Sequence, residues 1–204
     1  MSFFHERRIK KITILLGHPD KESTHSSELA LLYEVSAKKA GHEVKRFNIA
    51  DMQFDPILHQ GYKKRQNLEP DLVALQDAIK WCDHFVLIYP TWWCSMPALL
   101  KGLFDRMWLA GFAFKFYKTG WRAALSQHEK LLAGKTARVI TPSAVQPLLL
   151  QIFQSNHTSV IKKSILGFAG LKTSVTRFGP SLKAPEWKWN EWRHHVAQLG
   201  KLGM

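Results

Sequence analysis

The chain is expected to fold as an α/β protein built on a doubly wound parallel sheet. Two apolar runs, Ile12-Thr13-Ile14-Leu15-Leu16 and Phe85-Val86-Leu87-Ile88, suit strands covered on both faces. Strand-like segments alternate with segments of helical spacing five times, which implies parallel strands joined by right-handed crossovers. Gly41, Pro90 and Gly170 close segments where the chain must stop or turn.

In order, Lys11–Gly17 is the first strand, its Ile and Thr residues favouring extended backbone. A helix is expected over Glu28–Ala40, with Leu29, Leu32, Val35 and Ala40 on one face and Gly41 closing it. Glu43–Ile49 alternates as the second strand, and Asp51–Asn67 is a polar loop interrupted by Pro56 and Gly61. Pro70-Asp71 opens a helix carrying Leu72, Leu75, Ala78 and Ile79, which leads to the third strand at His84. Met96–Trp108 is the third helix, with Pro97 in its first turn. Leu109–Gly134 is rich in aromatic and basic residues and too long for a turn, which marks it as functional. Ala137–Thr141 is the fourth strand, Val160–Phe168 a helical stretch ending in Gly170, Thr173–Phe178 the fifth strand and Trp187–Leu202 the closing helix. There, Trp189, Trp192, Val196 and Leu199 share one face and are expected in the core.

The most informative segment follows the third strand: Tyr89-Pro90-Thr91-Trp92-Trp93-Cys94-Ser95-Met96-Pro97-Ala98-Leu99-Leu100-Lys101-Gly102. Pro90 ends the ladder because it has no N–H to donate. The twin tryptophans sit where the strand ends of an open α/β sheet meet a ligand. Backbone N–H groups beside flat apolar faces suit a planar heteroaromatic molecule; the plainer alternative is a buried aromatic strand end. This segment, continued by Asp105-Arg106 and Gly111-Phe112-Ala113-Phe114, resembles the flavin-contacting region of the flavodoxin-like NAD(P)H:quinone oxidoreductases, the NAD(P)H dehydrogenase (quinone) or flavodoxin-2 type. The resemblance implies a flavodoxin-like sheet of order 2-1-3-4-5 with helices on both faces. It also implies a bound FMN or FAD, hydride from NADPH or NADH, a quinone-like acceptor reduced in a ping-pong sequence, and a homodimer. Of the two, FMN is preferred, because the Asp51–Pro70 loop is short compared with that of the longer quinone reductases.

By the same resemblance Pro90, Thr91, Trp92, Trp93 and Cys94 contact the flavin. Donors there would stabilise a reduced, anionic ring. The first strand runs into Gly17-His18-Pro19-Asp20-Lys21-Glu22-Ser23-Thr24-His25-Ser26-Ser27, a hydroxyl-rich turn opening a helix and hence a natural phosphate cradle. His18 and the Ser23–Ser26 region carry over from the family pattern, without a choice between Ser23 and Ser26, and Lys21 could add a charge. The plainer reading is that Ser26 or Ser27 is only the helix N-cap. The fourth strand ends in Thr141-Pro142-Ser143-Ala144, where relatives carry a Thr-Thr-Gly-Gly turn and, further on, a tyrosine. Thr141, Pro142 and Ser143 are carried over; no tyrosine follows. His157 is the nearest titratable replacement and the candidate catalytic proton donor, against the alternative of a surface histidine at a helix boundary. The apolar Gln146–Phe153 stretch would line a quinone pocket, a subunit interface or a membrane surface.

At 204 residues the chain suits one domain over residues 1–204. No apolar run reaches the roughly 20 residues of a membrane span. The N-terminus lacks a secretory h-region, and two cysteines make no disulfide framework, so a cytoplasmic location is expected. The 29 Lys and Arg against 16 Asp and Glu give a net charge of +13. Those charges are scattered and no nucleic-acid-binding module accompanies them, so they favour phosphorylated cofactors rather than DNA or RNA. No metal site is indicated. The competing function is a flavodoxin-type electron carrier or regulatory flavoprotein; a third reading is a relative that has lost flavin binding through its altered Thr141–Ala144 turn.

Overall fold

The computed structural model describes residues 8–120, 122, 125, 127–146, 148 and 158–204. A parallel sheet of five strands forms the centre: β1 (Lys11–Leu16), β2 (Glu43–Asn48), β3 (His84–Ile88), β6 (Thr136–Pro142) and β7 (Lys172–Phe178), in the order β2-β1-β3-β6-β7. This is the doubly wound arrangement expected from the sequence, with β6 and β7 as fourth and fifth main strands. An antiparallel pair, β4 (Phe114–Phe116) and β5 (His128–Lys130), is added within the Leu109–Gly134 excursion.

Alternation along each strand feeds two apolar layers. Ile12, Ile14, Val86, Ile88 and Ile140 face α1 (His25–Lys39) and α5 (Glu186–Leu202). Leu15, Phe85, Leu87 and Val139 face the side of α2 (Pro70–Trp81), α3 (Ala98–Met107) and α4 (Val160–Gly167, a π-helix). Trp189, Trp192, Val196 and Leu199 of α5 are buried in the first layer, as their spacing predicts.

Three details differ from the sequence expectations. The first helix begins at His25 rather than Glu28, because Thr24 caps it: its hydroxyl accepts from Ser27 N while the Ser27 hydroxyl accepts from Thr24 N, a reciprocal box. Its buried face runs through Leu29, Ala30, Tyr33 and Ala37, whereas Val35 stays 39% exposed. Tyr33 takes the core position because its ring is buried while its hydroxyl donates to Met204 O at 3.2 Å. The third helix starts at Ala98, with Pro97 as its N-cap in extended conformation rather than in its first turn.

His84 starts β3 at the amino edge of the sheet. Its Nδ1 lies 2.6 Å from the Thr136 hydroxyl. Burial, aided by the Lys10 and Arg138 cations, lowers its pKa from 6.5 to about 3. A folded-state value below the unfolded one means stability is complete above pH 6.5 and lost as pH falls toward 3. The loss is about 1.4 kcal/mol per pH unit, hence roughly 2 kcal/mol at pH 5. His84→Asn is expected to flatten the fall in urea midpoint between pH 7 and pH 5; an unchanged slope would show that His84 is not the group responsible.

Candidate active site at the carboxyl edge of the sheet

All five parallel strands end at one edge, and the segments after β1, β3, β6 and β7 gather there. Gly17 starts the first of them. A Cβ on Gly17 would lie 2.6 Å from Leu100 and 3.2 Å from Tyr89, so the close approach of this turn to α3 excludes any larger residue without repacking. Beyond it, His18, Ser23, Thr24, His25, Ser26 and Glu28 line a cleft of about 420 Å³ together with Pro142 and Ser181, the Glu28 carboxylate being paired with Arg193 at 2.5 Å. The amino end of α1, with its positive end of the helix dipole, opens into this cleft. His25 stacks flat on Trp189 at 3.9 Å.

His18 Nδ1 accepts from Asp20 N at 3.1 Å, which leaves Nε2 carrying the proton. Burial lowers the His18 pKa, with Asp20 opposing, so the ring is a neutral donor at neutral pH. Its ring meets Trp92 edge-to-face at 5.5 Å, which joins the turn after β1 to the aromatic loop. Ser23 and Ser26 line the cleft with His18, Ser26 being almost fully buried. Lys21 turns away, to 3.9 Å from Asp51 beside the end of β2, into an adjoining hollow that it lines with Arg46 and Asn48 and that shares Ser23 and Glu28 with the cleft.

The aromatic loop is a tight reversal. Trp92 N donates to Ser95 O at 3.0 Å and Ser95 N to Trp92 O at 2.9 Å. The two residues at the tip, Trp93 and Cys94, both have left-handed backbone, with φ of 48° and 59°. Each such non-glycine residue costs about 1–2 kcal/mol. Trp93 is 99% exposed, so no burial of its ring offsets that cost. The tip therefore holds strain that its own packing does not repay. Thr91 N is also engaged, to Pro142 O at 2.9 Å. The N–H groups of Thr91, Trp92 and Ser95 are thus all committed within the protein.

The hydroxyls at the end of β6 and in the turn after it have partners within the protein. Thr141 is fully buried and its hydroxyl lies 2.6 Å from that of Thr91. The Ser143 hydroxyl donates to Val145 O at 3.0 Å and accepts from Val145 N, and its own N–H donates to Phe178 O. Pro142 lines the cleft, while Thr141 and Ser143 hold the two loops in register. His157 lies outside the described residues, as does most of the apolar Gln146–Phe153 stretch.

Two residues at this edge have no signal in the sequence. Ser181 reaches the cleft from the segment after β7, its N–H donating to Ser143 O at 2.7 Å. Arg177 sits opposite Thr141 in the β6–β7 register and donates to the Thr158 hydroxyl. Burial lowers its pKa and raises that of Tyr89, whose pKa the Arg177 charge draws back down. Arg177 is the penultimate residue of an ordinary-looking strand, and only the parallel pairing sets it beside Thr141 at the carboxyl edge.

Among the described residues no cluster of three potential metal ligands occurs, and no helix is long and apolar enough to cross a membrane. A profile of the Flavodoxin-like fold family matches residues 10–184. An uncharacterized NAD(P)H oxidoreductase of Haemophilus influenzae is 32% identical over 105 residues, covering 50% of this chain and 52% of that protein. NAD(P)H dehydrogenase [quinone] 1 of Rattus norvegicus is 28% identical over 149 residues, covering 63% and 53%. The chain thus spans about half the length of the curated relatives it matches. Among solved structures, Smu.1420 of Streptococcus mutans superposes with a TM-score of 0.76 at 28% identity, covering 93% of this chain and 98% of that one.

Proposed function

The chain belongs to the flavodoxin-like fold family, and we propose that it is a flavin-dependent NAD(P)H oxidoreductase reducing quinone-like acceptors. The names of its relatives support the activity. The observation that carries it is the contact of His18 with Trp92, which makes one site of the hydroxyl-lined cleft and the strained aromatic tip.

The donor set fits a flavin: hydroxyls and helix N–H groups for a phosphate, indole faces for a planar ring. Ser23, Ser26 and the first N–H groups of α1 would hold the phosphate, and Pro90 to Cys94 would flank the ring. A bound flavin supplies two-electron exchange with a nicotinamide. The chain's own part is positional. Thr91 and Thr141 set the spacing of the two loops, Trp92 and Trp93 exclude water from the ring face, and neutral His18 offers an N–H to an anionic group. NADPH or NADH and the acceptor would share the open face in turn, which gives ping-pong kinetics.

FMN is favoured over FAD. The Asp51–Pro70 loop is short and drawn onto α3 by Arg106, and the His25–Trp189 stack walls the far side of the cleft. Lys21 would act at long range only. His157 remains the candidate proton donor on its sequence position: His157→Asn is expected to slow acceptor reduction more than reduction by NADPH, and equal effects would remove it. We place the protein in a reducing cytoplasm as a one-domain homodimer, in keeping with two cysteines that form no disulfide.

The test is the visible absorbance of purified protein, repeated anaerobically after NADPH. A flavin band that bleaches, and returns on adding a quinone, is the expected outcome. A bound flavin untouched by NADPH and NADH would favour the electron-carrier reading. Absence of flavin after incubation with FMN and FAD would end the assignment.

A further inference from the structure

The amino edge of the sheet, opposite the cleft, carries more positive charge than its own helix ends use. The strands start side by side there: Glu43 N donates to Lys10 O at 3.0 Å, Asp83 N to Lys11 O at 2.8 Å, Thr136 N to Asp83 O at 3.1 Å and Lys172 N to Lys135 O at 3.0 Å. Each helix that returns from the carboxyl edge ends on this side, where its last carbonyls present about half a negative charge. Two half-buried lysines answer those carbonyls directly. Lys10 Nζ donates to Gly203 O at 2.7 Å at the end of α5, and Lys135 Nζ to Lys80 O at 2.7 Å and Cys82 O at 2.5 Å at the end of α2.

Six further cations surround them: Arg8, Lys11, Lys39, Lys45, Lys172 and Lys201, all exposed. Among the described residues none of their side chains has an ion pair or a hydrogen bond, whereas Lys80 is paired with Asp77 at 3.3 Å. Lys11 and Lys45 stand over the Trp81 ring at 5.7 Å and 4.5 Å, and Lys39 and Lys201 line one hollow between the ends of α1 and α5. Glu43 and Asp83 are the carboxylates at the strand starts. The surplus of cations over these two exceeds the half charges of the helix ends that Lys10 and Lys135 leave unanswered. Exposed aliphatic side chains are set into the same surface. Ile9, 61% exposed, lies beside Gly41, and Leu202, 45% exposed, follows Lys201 at the end of α5.

We propose that this face docks the protein on an anionic lipid bilayer. Lysines held over a phosphate surface and aliphatic side chains entering the boundary between headgroups and acyl chains are the two contributions such contacts combine. A nucleic acid would satisfy the cations and leave Ile9 and Leu202 in water. Each cation near the bilayer surface contributes about fivefold in affinity, and the attraction is screened beyond about 10 Å at 0.1 M salt. Docking in this orientation leaves the carboxyl-edge cleft open to water, whatever that cleft binds.

The test is co-sedimentation of the purified full chain with vesicles of equal parts phosphatidylcholine and phosphatidylglycerol, and with vesicles of phosphatidylcholine alone. Binding is expected to the anionic vesicles only and to fall steeply with added salt. The triple variant Lys39→Gln/Lys172→Gln/Lys201→Gln is expected to weaken it by roughly a hundredfold at unchanged melting temperature. Lys63→Gln/Lys64→Gln/Arg65→Gln removes the same charge from the exposed loop before α2 and is expected to leave binding unchanged. Equal losses in the two triples would reduce the effect to net charge and overturn the proposal. Absence of binding, or equal binding to uncharged vesicles, would overturn it too. Short duplex DNA held more tightly than the vesicles, through the same three lysines, would replace the bilayer with a nucleic acid.

Discussion

Arg106→Met is expected to lower the free energy of unfolding by about 3 kcal/mol, at the lower end of the cost of breaking a buried ion pair. The Arg106 side chain is fully buried on α3. It donates to Glu69 Oε2 at 2.9 Å, to Glu69 Oε1 at 3.1 Å, to Asn67 O at 2.7 Å and to the Asp55 carbonyl. One guanidinium thus holds both ends of the loop between β2 and α2 against the helix. Gly102, one turn earlier, permits the approach: a Cβ there would lie 2.6 Å from Pro56 Cβ and from Pro56 O. Methionine fills the space but leaves the loop carbonyls and Glu69 without their donor. The lower end of the range applies because Glu69 keeps a 29% exposed side chain that water can reach. Burial acts to raise the Glu69 pKa, and the Arg106 hydrogen bonds overcome it and hold the carboxyl below its usual value. The stabilisation from the pair is therefore present above the ordinary carboxylate range and lost as pH falls through it. Urea denaturation at pH 7 measures the difference. A loss under 1 kcal/mol, or full stability retained in Arg106→Lys, which cannot span both carbonyls, would show that the fork is not what holds the loop.

Trp93→Gly is expected to separate stability from ligand binding. Relief of one left-handed non-glycine residue returns about 1–2 kcal/mol, and the added freedom of glycine in the unfolded chain takes back about 0.4–1 kcal/mol. With Trp93 99% exposed, no buried area is given up, so the net is a gain of roughly 0.5–1 kcal/mol. Flavin affinity is expected to fall by about tenfold with the loss of the indole face. Trp93→Ala serves as the control: it removes the ring and keeps the strain, so it should match the glycine variant in flavin affinity without its added stability. If Trp93→Gly lowers stability, the turn is held by contacts of the indole and not against its own preference. If it binds flavin as tightly as the parent, the aromatic tip is not part of the site.

Both variants test features that are invisible in a string of residues. Arg106 reads as one charge in an amphipathic helix, and only folding brings Asn67, Asp55 and Glu69 around it. The left-handed tip reads as an ordinary Trp-Cys pair, where a glycine or asparagine would have announced the turn. The helix start at His25 was legible in principle, since Thr24 and Ser27 have capping-box spacing, but the apolar periodicity begins only at Leu29. Lys21 was legible as a cation and not as to direction. Asp51, thirty residues on, draws it out of the cleft.

Local chemistry determined what could be read from the sequence alone. β-branched and fully apolar runs suit strands covered on both faces, Pro and Gly end segments by their own backbone limits, and a tryptophan stripe at helical spacing suits a buried helix face. The strand alternation and the aromatic loop after β3 follow from those rules, and the strand order came from the resemblance of that loop. Tertiary structure alone decided which side chains share the carboxyl edge of the sheet, because parallel register aligns residues far apart in the chain. It set Thr141 against Arg177 across β6 and β7 and Thr91 against Ser143, brought Ser181 to the cleft and committed the Thr141 and Ser143 hydroxyls to the loops. Hydrogen-bond partners and burial depend on such long-range pairings, and no local pattern encodes them.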